Sequence, residues 1–105
     1  MSPKRKRSRT ARESQPPRTL RLTDQFIADA DYWARIDPTV HRRLLRIVSA
    51  TVADPFRGIG KPEALKHDLR GLWSRRLTAA DRVVYAVAEG FVEFFSARHH
   101  YHRGG

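Results

Sequence analysis

Residues 72–100, LWSRRLTAADRVVYAVAEGFVEFFSARHH, contain the strand and turn pattern from which the fold is predicted. Glu89-Gly90 has the length and composition of a two-residue hairpin turn, and Thr78–Asp81 is a second connection. The runs that these turns separate are rich in aliphatic, β-branched and aromatic residues, as β-strands are: 72–78, 82–88 and 91–100. The stretch therefore predicts three consecutive antiparallel strands.

Two helices are predicted before these strands. Apolar residues recur at helical spacing through Asp24–Arg35, where Thr23 or Asp24 supplies a side-chain oxygen suited to an N-cap. A second helix is expected to start at Asp37-Pro38 and to stop at Asp54-Pro55. The predicted core-facing residues are Phe26, Ala30, Trp33 and Ala34 in the first helix, and Val40, Leu44, Ile47, Val48 and Thr51 in the second, opposite Arg42, Arg43 and Arg46.

Shorter elements complete the predicted fold. Arg18–Leu22 alternates imperfectly between polar and apolar residues, which favours a short strand. Phe56–Lys61 contains two glycines and is expected to be a loop, and Pro62–Lys66 is long enough for one helical turn. The order β-α-α-β-β-β indicates an α+β domain, with a two-helix hairpin packed on one face of an antiparallel sheet.

Length and composition exclude several classes of protein. A chain of 105 residues fits one domain, and the absence of cysteine excludes disulfides, thiol nucleophiles and cysteine-ligated metals. No apolar run approaches the roughly 20 residues of a membrane span. The basic N-terminus also lacks the apolar stretch of a secretory signal. We therefore expect a cytoplasmic protein without a membrane partner.

The formal net charge of +10 points to a polyanionic partner. Residues 1–16 carry six Lys and Arg residues against one acid, with almost no apolar residues. We expect residues 1–17 to be a disordered basic extension, which is either a solvated tail or an arm that contacts nucleic-acid phosphates. The folded domain is expected over 18–101, followed by a short C-terminal extension at 102–105.

Polar and basic residues are unusually frequent in the second half of the chain. On a polar sheet face most of them would simply meet solvent. Jointly, however, several cations, a carboxylate, imidazoles and a tyrosine favour a surface that holds an RNA backbone and stacks a base. These residues are Glu63, Lys66, Arg70, Arg75, Arg76, Arg82, Arg98, His99, His100 and Tyr101.

Three of these residues have the chemistry that RNA cleavage requires. A base must deprotonate the 2′-hydroxyl, a cation must stabilise the charge on the phosphate, and an acid must protonate the departing 5′-oxygen. Glu63, Arg82 and His100 are suited to those roles. From the residues alone, both an RNA-binding protein and a nuclease remain open, because convergence in space decides between them.

The histidines near the end of the chain are candidate metal ligands. His100 and His102 have the i, i+2 spacing that brings two side chains to one side of a strand, and His99 lies between Arg98 and His100. Cysteine is absent and acids near these histidines are few. The sequence therefore predicts no metal site and no cofactor.

A long run of motifs resembles a known family. Residues 55–77, PFRGIGKPEALKHDLRGLWSRRL, are followed by DRVVYAV at 81–87 and RHHY at 98–101. In this order they resemble the YoeB/Txe toxins, a branch of the RelE superfamily, and with the helix hairpin the resemblance covers about 18–101. It implies a RelE-like fold.

The resemblance also implies a function and partners. The family comprises toxins of type II toxin–antitoxin modules, which are mRNA interferases that bind the ribosome (30S/70S) and cut mRNA in the A site. They need no metal, and a cognate YefM/Axe-like antitoxin holds them inactive. A homodimer is expected from relatives.

Residue roles follow from the resemblance position by position. Glu63 matches the proposed general base, His100 the proposed general acid, and Arg82 the arginine that stabilises the phosphate. Lys66 and Arg76 match basic residues near the scissile phosphate, and Tyr101 matches the terminal aromatic that positions the RNA.

Two other functions compete with this interpretation. One is a non-catalytic basic ribosome- or RNA-binding protein of the same fold. The other is the gyrase-poisoning branch of the superfamily, against which the presence of both Glu63 and His100 argues.

Overall fold

The computed structural model describes residues 18–99 of the chain. The predictions for residues 1–17, for His100 and Tyr101, and for 102–105 lie outside this part. Two helices are followed by most of the strands, in the order β1 (Thr19–Leu22), α1 (Asp24–Ile36), α2 (Pro38–Ala53), β2 (Glu63–Ala64), a 3₁₀ turn (His67–Leu69), β3 (Leu72–Arg76), β4 (Arg82–Ala88) and β5 (Phe91–Ser96).

The strands form one five-stranded sheet in the order β1-β5-β4-β3-β2. The predicted antiparallel pairing is confirmed from β2 to β5, with β4 in the middle of the sheet. The sheet is nevertheless mixed, because β1 pairs with β5 in parallel. A tight hairpin fixes the relative direction of neighbouring strands, whereas β1 reaches β5 only after most of the chain has intervened.

Both helices begin at the predicted caps. The Thr23 hydroxyl accepts a hydrogen bond from the Phe26 N–H at 3.1 Å and donates one to the Phe95 carbonyl at 2.9 Å. The Asp37 carboxylate accepts from the Val40 N–H, and Pro38 is the first residue of α2. Local cap chemistry therefore sets both helix starts, and Thr23 also fastens α1 to β5.

The helices bury one face of the sheet. Leu44 and Ile47 of α2 and Phe94 of β5 are fully buried, and Trp33 of α1 is nearly so. The predicted helical stripes are confirmed except at Ala34, which is exposed. The buried cluster contains Phe26, Trp33, Leu44, Ile47, Leu77, Val83, Tyr85, Val92, Phe94 and Ala97.

The expected helical turn at Pro62–Lys66 is wrong. Glu63–Ala64 forms the short strand β2 on the edge of β3, and the helical geometry starts later, at His67–Leu69. The Leu65 N–H donates to the Leu72 carbonyl at 2.9 Å. The free edge of β3 thus supplies main-chain partners that one isolated helical turn would lack.

The last predicted strand is shorter than expected, since β5 ends at Ser96 rather than at His100. Side chains of α1 bind the chain beyond it. The Ala97 N–H donates to the Asp29 carboxylate at 2.8 Å, and the Ala97 carbonyl accepts from the Trp33 indole N–H at 2.8 Å. Within the described residues, neither helix is long and apolar enough to cross a membrane.

Replacing Thr23 with alanine should destabilise the fold. The change removes the cap of α1 and its bond to Phe95, so we expect the free energy of unfolding to fall by about 1–2 kcal/mol. Urea denaturation measures the loss. Thr39→Ala, an exposed threonine in the first turn of α2, is the control and should change stability by less than about 0.5 kcal/mol. Equal losses in the two variants would contradict the assignment.

Candidate active site

The sheet has a second face, which the helices leave uncovered. Side chains alternate along a strand, so the core positions Val83 and Tyr85 of β4 leave Arg82 on the opposite face. The register pairs Ser74 with Val84 and Arg76 with Arg82 across β3 and β4, so Ser74 and Arg76 share that face. We call the surface formed by Glu63, Arg76 and Arg82, with the buried Ser74 beneath them, the open face.

Glu63 and Arg82 come together on the open face although 19 positions separate them. Nη1 of Arg82 lies 3.7 Å from Oε1 of Glu63, and it donates a hydrogen bond to the Ser74 hydroxyl at 3.3 Å. The side chains are 26% exposed for Arg82 and 62% exposed for Glu63. An ion pair this accessible is weak, so an incoming anion can compete for the arginine.

Further positive charge surrounds this pair. Arg76 is exposed and occupies the position directly opposite Arg82 on the neighbouring strand. Lys66 is exposed just after β2. Like charges on adjacent strands repel each other. The placement of Arg76 and Arg82 on one surface therefore favours binding of a ligand that carries phosphates.

The C-terminal end of the described chain lies beside the strand that carries Arg82. Nδ1 of His99 is 3.7 Å from Oδ1 of Asp81, the residue before Arg82. Asp81 is held in turn by the Thr78 hydroxyl, which donates to its other carboxylate oxygen at 2.7 Å. The hydrogen bonds of Ala97 to α1 fix the path of the chain between β5 and His99. His100 and Tyr101 follow directly, outside the described residues.

Arg75, predicted on the polar face of the sheet, is not on the open face. Its side chain is fully buried, on the helix-covered face of the sheet. Nε donates to the Tyr85 hydroxyl at 3.2 Å and Nη1 to the Ile59 carbonyl at 3.0 Å, while Nη2 donates to the carbonyls of Asp54 and Arg57. Arg75 and Arg76 are consecutive in a strand, so they point to opposite faces.

Tyr85 completes this buried network. Its hydroxyl donates to the Pro55 carbonyl at 2.7 Å while it accepts from Arg75. Burial penalises the phenolate and raises the pKa of Tyr85 above its ordinary value near 10, although the hydrogen bond and the charge of Arg75 oppose this shift. The neutral phenol is therefore the form that the fold requires.

Two glycines allow the loop between α2 and β2 to pass close to Arg75. A Cβ on Gly58 would lie 3.1 Å from Nη1 of Arg75, and one on Gly60 would lie 3.0 Å from the Arg75 Cβ. Both glycines have positive φ, as do Lys61 at +50° and His67 at +56°. The latter two flank the segment that carries Glu63 and Lys66, and such conformations persist only where the surroundings enforce them.

Other predicted surface residues serve the scaffold. The Arg43 guanidinium, expected in solvent, donates to the carbonyls of Leu77 and Arg76. Arg98 stacks over the Tyr32 ring, with its guanidinium carbon 3.7 Å from the ring centroid. In residues 18–99 no group of three His, Asp or Glu residues could hold a metal ion.

The structure thus brings together three of the six predicted site residues, Glu63, Arg76 and Arg82, and leaves Lys66 exposed just after β2. Sequence reasoning missed Ser74, which is fully buried and contacts Arg82. The alternation of side chains in a strand could have predicted it, because Ser74 and Arg76 are two positions apart in β3 and therefore share a face. The same alternation places Arg75, between Ser74 and Arg76, on the buried face of the sheet.

Comparisons with known proteins give consistent results. A family model described as a YoeB-like toxin of bacterial type II toxin–antitoxin system matches residues 22–101. The chain is 42% identical over 82 residues to Toxin YoeB of Streptomyces coelicolor, which covers 78% of this chain and 98% of that protein.

Solved structures give the same result. A YoeB/ParE toxin from Agrobacterium tumefaciens superposes with a TM-score of 0.72 at 34% identity, over 76% of this chain and 95% of that chain. A YoeB dimer from Staphylococcus aureus gives 0.73 at 28% identity, over 82% of this chain and 100% of that one. A heterotetrameric YoeB–YefM complex from the same organism gives 0.72 at 28% identity, with the same coverage.

The buried phenol predicts a stability loss at alkaline pH. Because folding raises the pKa of Tyr85, its contribution is complete below the unfolded pKa near 10 and is lost as the pH rises through the folded value. Urea denaturation at several pH values from about 9 to 11.5 should show the wild type losing stability faster than Tyr85→Phe, which has no phenol to ionise. Parallel curves for the two proteins would contradict this.

Proposed function

The chain belongs to the family of YoeB-like toxins of bacterial type II toxin–antitoxin systems, and from this membership we propose that it is a ribosome-dependent endoribonuclease that cuts mRNA in the A site. The observation that carries the proposal is the pairing of Glu63 with Arg82 on an exposed cationic surface. A carboxylate beside an arginine supplies a proton acceptor and a phosphate ligand at one point.

The proposed reaction starts at the 2′-hydroxyl of the nucleotide before the cut. Glu63 accepts the hydroxyl proton while the 2′-oxygen attacks the adjacent phosphorus. Arg82 binds the non-bridging oxygens, on which charge accumulates in the transition state. The bond to the 5′-oxygen then breaks, which leaves a 2′,3′-cyclic phosphate on one fragment and a 5′-hydroxyl on the other.

His100 is the proposed general acid that protonates the departing 5′-oxygen. The contact between His99 and Asp81 supports this role, because it holds the preceding residue next to Arg82. Consecutive Cα atoms are about 3.8 Å apart, so one more residue stays within reach of the same surface. Nothing in the proposed steps calls on a metal ion or a cofactor.

The remaining proposed residues bind RNA. The exposed cations Lys66 and Arg76 contact phosphates on either side of the cut, and such contacts weaken as salt is added. Tyr101 positions the substrate by stacking on a base.

Single substitutions of the three proposed catalytic residues should abolish most cleavage. With 70S ribosomes carrying a translated mRNA, we expect Glu63→Ala, Arg82→Ala and His100→Ala each to lower the cleavage rate by about 10²- to 10⁴-fold. Primer extension measures the rate and locates the cut. Circular dichroism checks that each variant is folded.

Matched controls use exposed residues of the same type away from the open face. Glu89→Ala, in the β4–β5 turn, and Arg46→Ala, on α2, should cleave at the wild-type rate. Wild-type rates in all three active-site variants would contradict the site. Ribosome binding without new A-site ends in the wild type would instead favour the non-catalytic binding protein.

We further propose that a YefM-like antitoxin inhibits this chain and that two copies form a homodimer. A YoeB–YefM complex and a YoeB dimer from Staphylococcus aureus support the two partners. The basic open face supports an acidic antitoxin segment that folds as it binds.

Charge reversal tests the antitoxin's binding surface. Arg76→Glu should weaken binding of a YefM-like antitoxin by about tenfold, because a repulsive charge replaces an attractive one. Calorimetry measures the affinity, with Arg46→Glu on α2 as the control. Equal affinity for the two variants would exclude the open face as the docking surface. Sedimentation of the free toxin tests the dimer.

A further inference from the structure

The loop between α2 and β2 is held largely through its main-chain carbonyls, in addition to the buried Pro55 and the packing of the Phe56 ring on Trp73. Across residues 54–60, five carbonyl groups accept hydrogen bonds from β3 or β4. Arg75 binds the carbonyls of residues 54, 57 and 59, Tyr85 binds that of Pro55, and the Arg76 N–H binds that of Gly60 at 2.6 Å.

The strand that follows this loop has little support of its own. β2 consists of Glu63 and Ala64, which pair with Ser74 and Trp73 at one edge of the sheet. A two-residue edge strand cannot set its own position firmly, since few bonds hold it. The position of the end of this loop therefore determines where the Glu63 carboxylate lies relative to Arg82.

We propose that Arg75 and Tyr85 are positioning residues for Glu63, which act by fixing the carbonyls of loop 54–60 and so set the distance between the Glu63 carboxylate and Arg82. This role rests on the proposed function, because it concerns the base of that reaction. Neither residue touches RNA: both are fully buried on the opposite face of the sheet.

The chemistry of guanidinium explains why an arginine occupies this position. Its planar fork presents five N–H donors in fixed directions, and Arg75 uses Nε, Nη1 and Nη2 at once. A lysine ammonium has three donors at one point and cannot span the same carbonyls. Its acceptors are a hydroxyl and three carbonyls, all neutral, and among residues 18–99 no carboxylate forms an ion pair with Arg75. The charge therefore serves to hold main-chain dipoles.

The loop has little freedom to take another path. Gly58 and Gly60 pass so close to Arg75 that a methyl group at either position would press on it. Their positive φ values exclude most other residues. Loosening the network therefore displaces the whole loop and β2 with it, rather than one side chain.

The test uses Tyr85→Phe, which keeps the buried ring and removes the hydroxyl that joins Arg75 to Pro55. On programmed ribosomes at saturating toxin, we expect the single-turnover cleavage rate to fall by about 10- to 100-fold, because small displacements of a catalytic group cost this much. The half-saturating toxin concentration should stay within about threefold of wild type, since the phosphate-binding cations remain. Arg75→Lys should show the same pattern with a larger loss.

A double-mutant comparison separates positioning from general destabilisation. If Tyr85 acts through Glu63, then Tyr85→Phe added to Glu63→Ala should lower the residual rate by less than about twofold. Ile47→Val, a fully buried substitution on α2, is the control and should leave the cleavage rate unchanged in both backgrounds.

A second measurement does not depend on activity. Amide hydrogen exchange at Arg76, whose N–H binds the Gly60 carbonyl, should become faster in Tyr85→Phe and in Arg75→Lys than in wild type, while exchange in the β4–β5 pair is unchanged. This readout applies to any variant that circular dichroism shows to be folded.

The outcomes distinguish the two proposals. Wild-type cleavage by folded Tyr85→Phe and Arg75→Lys, alongside an inactive Glu63→Ala, would overturn the positioning role alone. A full 10- to 100-fold further loss in the Glu63→Ala background would also overturn it, because the network would then act elsewhere. Wild-type cleavage by Glu63→Ala itself would instead overturn the proposed base.

Discussion

A buried guanidinium that binds main-chain carbonyls is the interaction on which the geometry of this protein depends. Arg75 lies on the helix-covered face of the sheet. Its Nη1 and Nη2 atoms donate hydrogen bonds to carbonyls of the loop that leaves α2. Removing an ion from water is costly unless its hydrogen bonds are replaced, so the loop must present its carbonyls to the cation. That requirement fixes the start of β2 and thereby relates the helical hairpin to the open face.

Local signals were sufficient to predict much of the fold. Thr23 and Asp37 cap helices through their own neighbouring N–H groups, and Glu89-Gly90 closes a hairpin between strands that are adjacent in sequence. The parallel pairing of β1 with β5, in contrast, depends on packing between distant segments. The short strand β2 was mistaken for a helical turn because its partner is the free edge of β3, which composition does not reveal.

The candidate site could be predicted in part, and mostly through family resemblance. Residue chemistry suggested Glu63 and Arg82, but their contact arises from pairing across β2, β3 and β4, which no local pattern specifies. Strict attention to strand alternation would have separated Arg75 from Arg76 and added Ser74. The partners of Arg75 could not be predicted from the sequence, since most of its acceptors are main-chain carbonyls, which every residue has. The roles of His100 and Tyr101 rest on the resemblance and on the path of the chain up to His99.

The loop of residues 54–60 has one further consequence, which concerns how such a protein can change over evolutionary time. The loop is anchored by its carbonyls and by the Phe56 ring, which packs on Trp73, whereas the side chains of Arg57 and Ile59 are exposed to solvent. Substitutions at Arg57 and Ile59 alter the molecule's outer surface while the main-chain anchors persist. The loop can therefore acquire new surface properties by mutation without moving the carboxylate that follows it, so surface variation and site geometry are separable under selection.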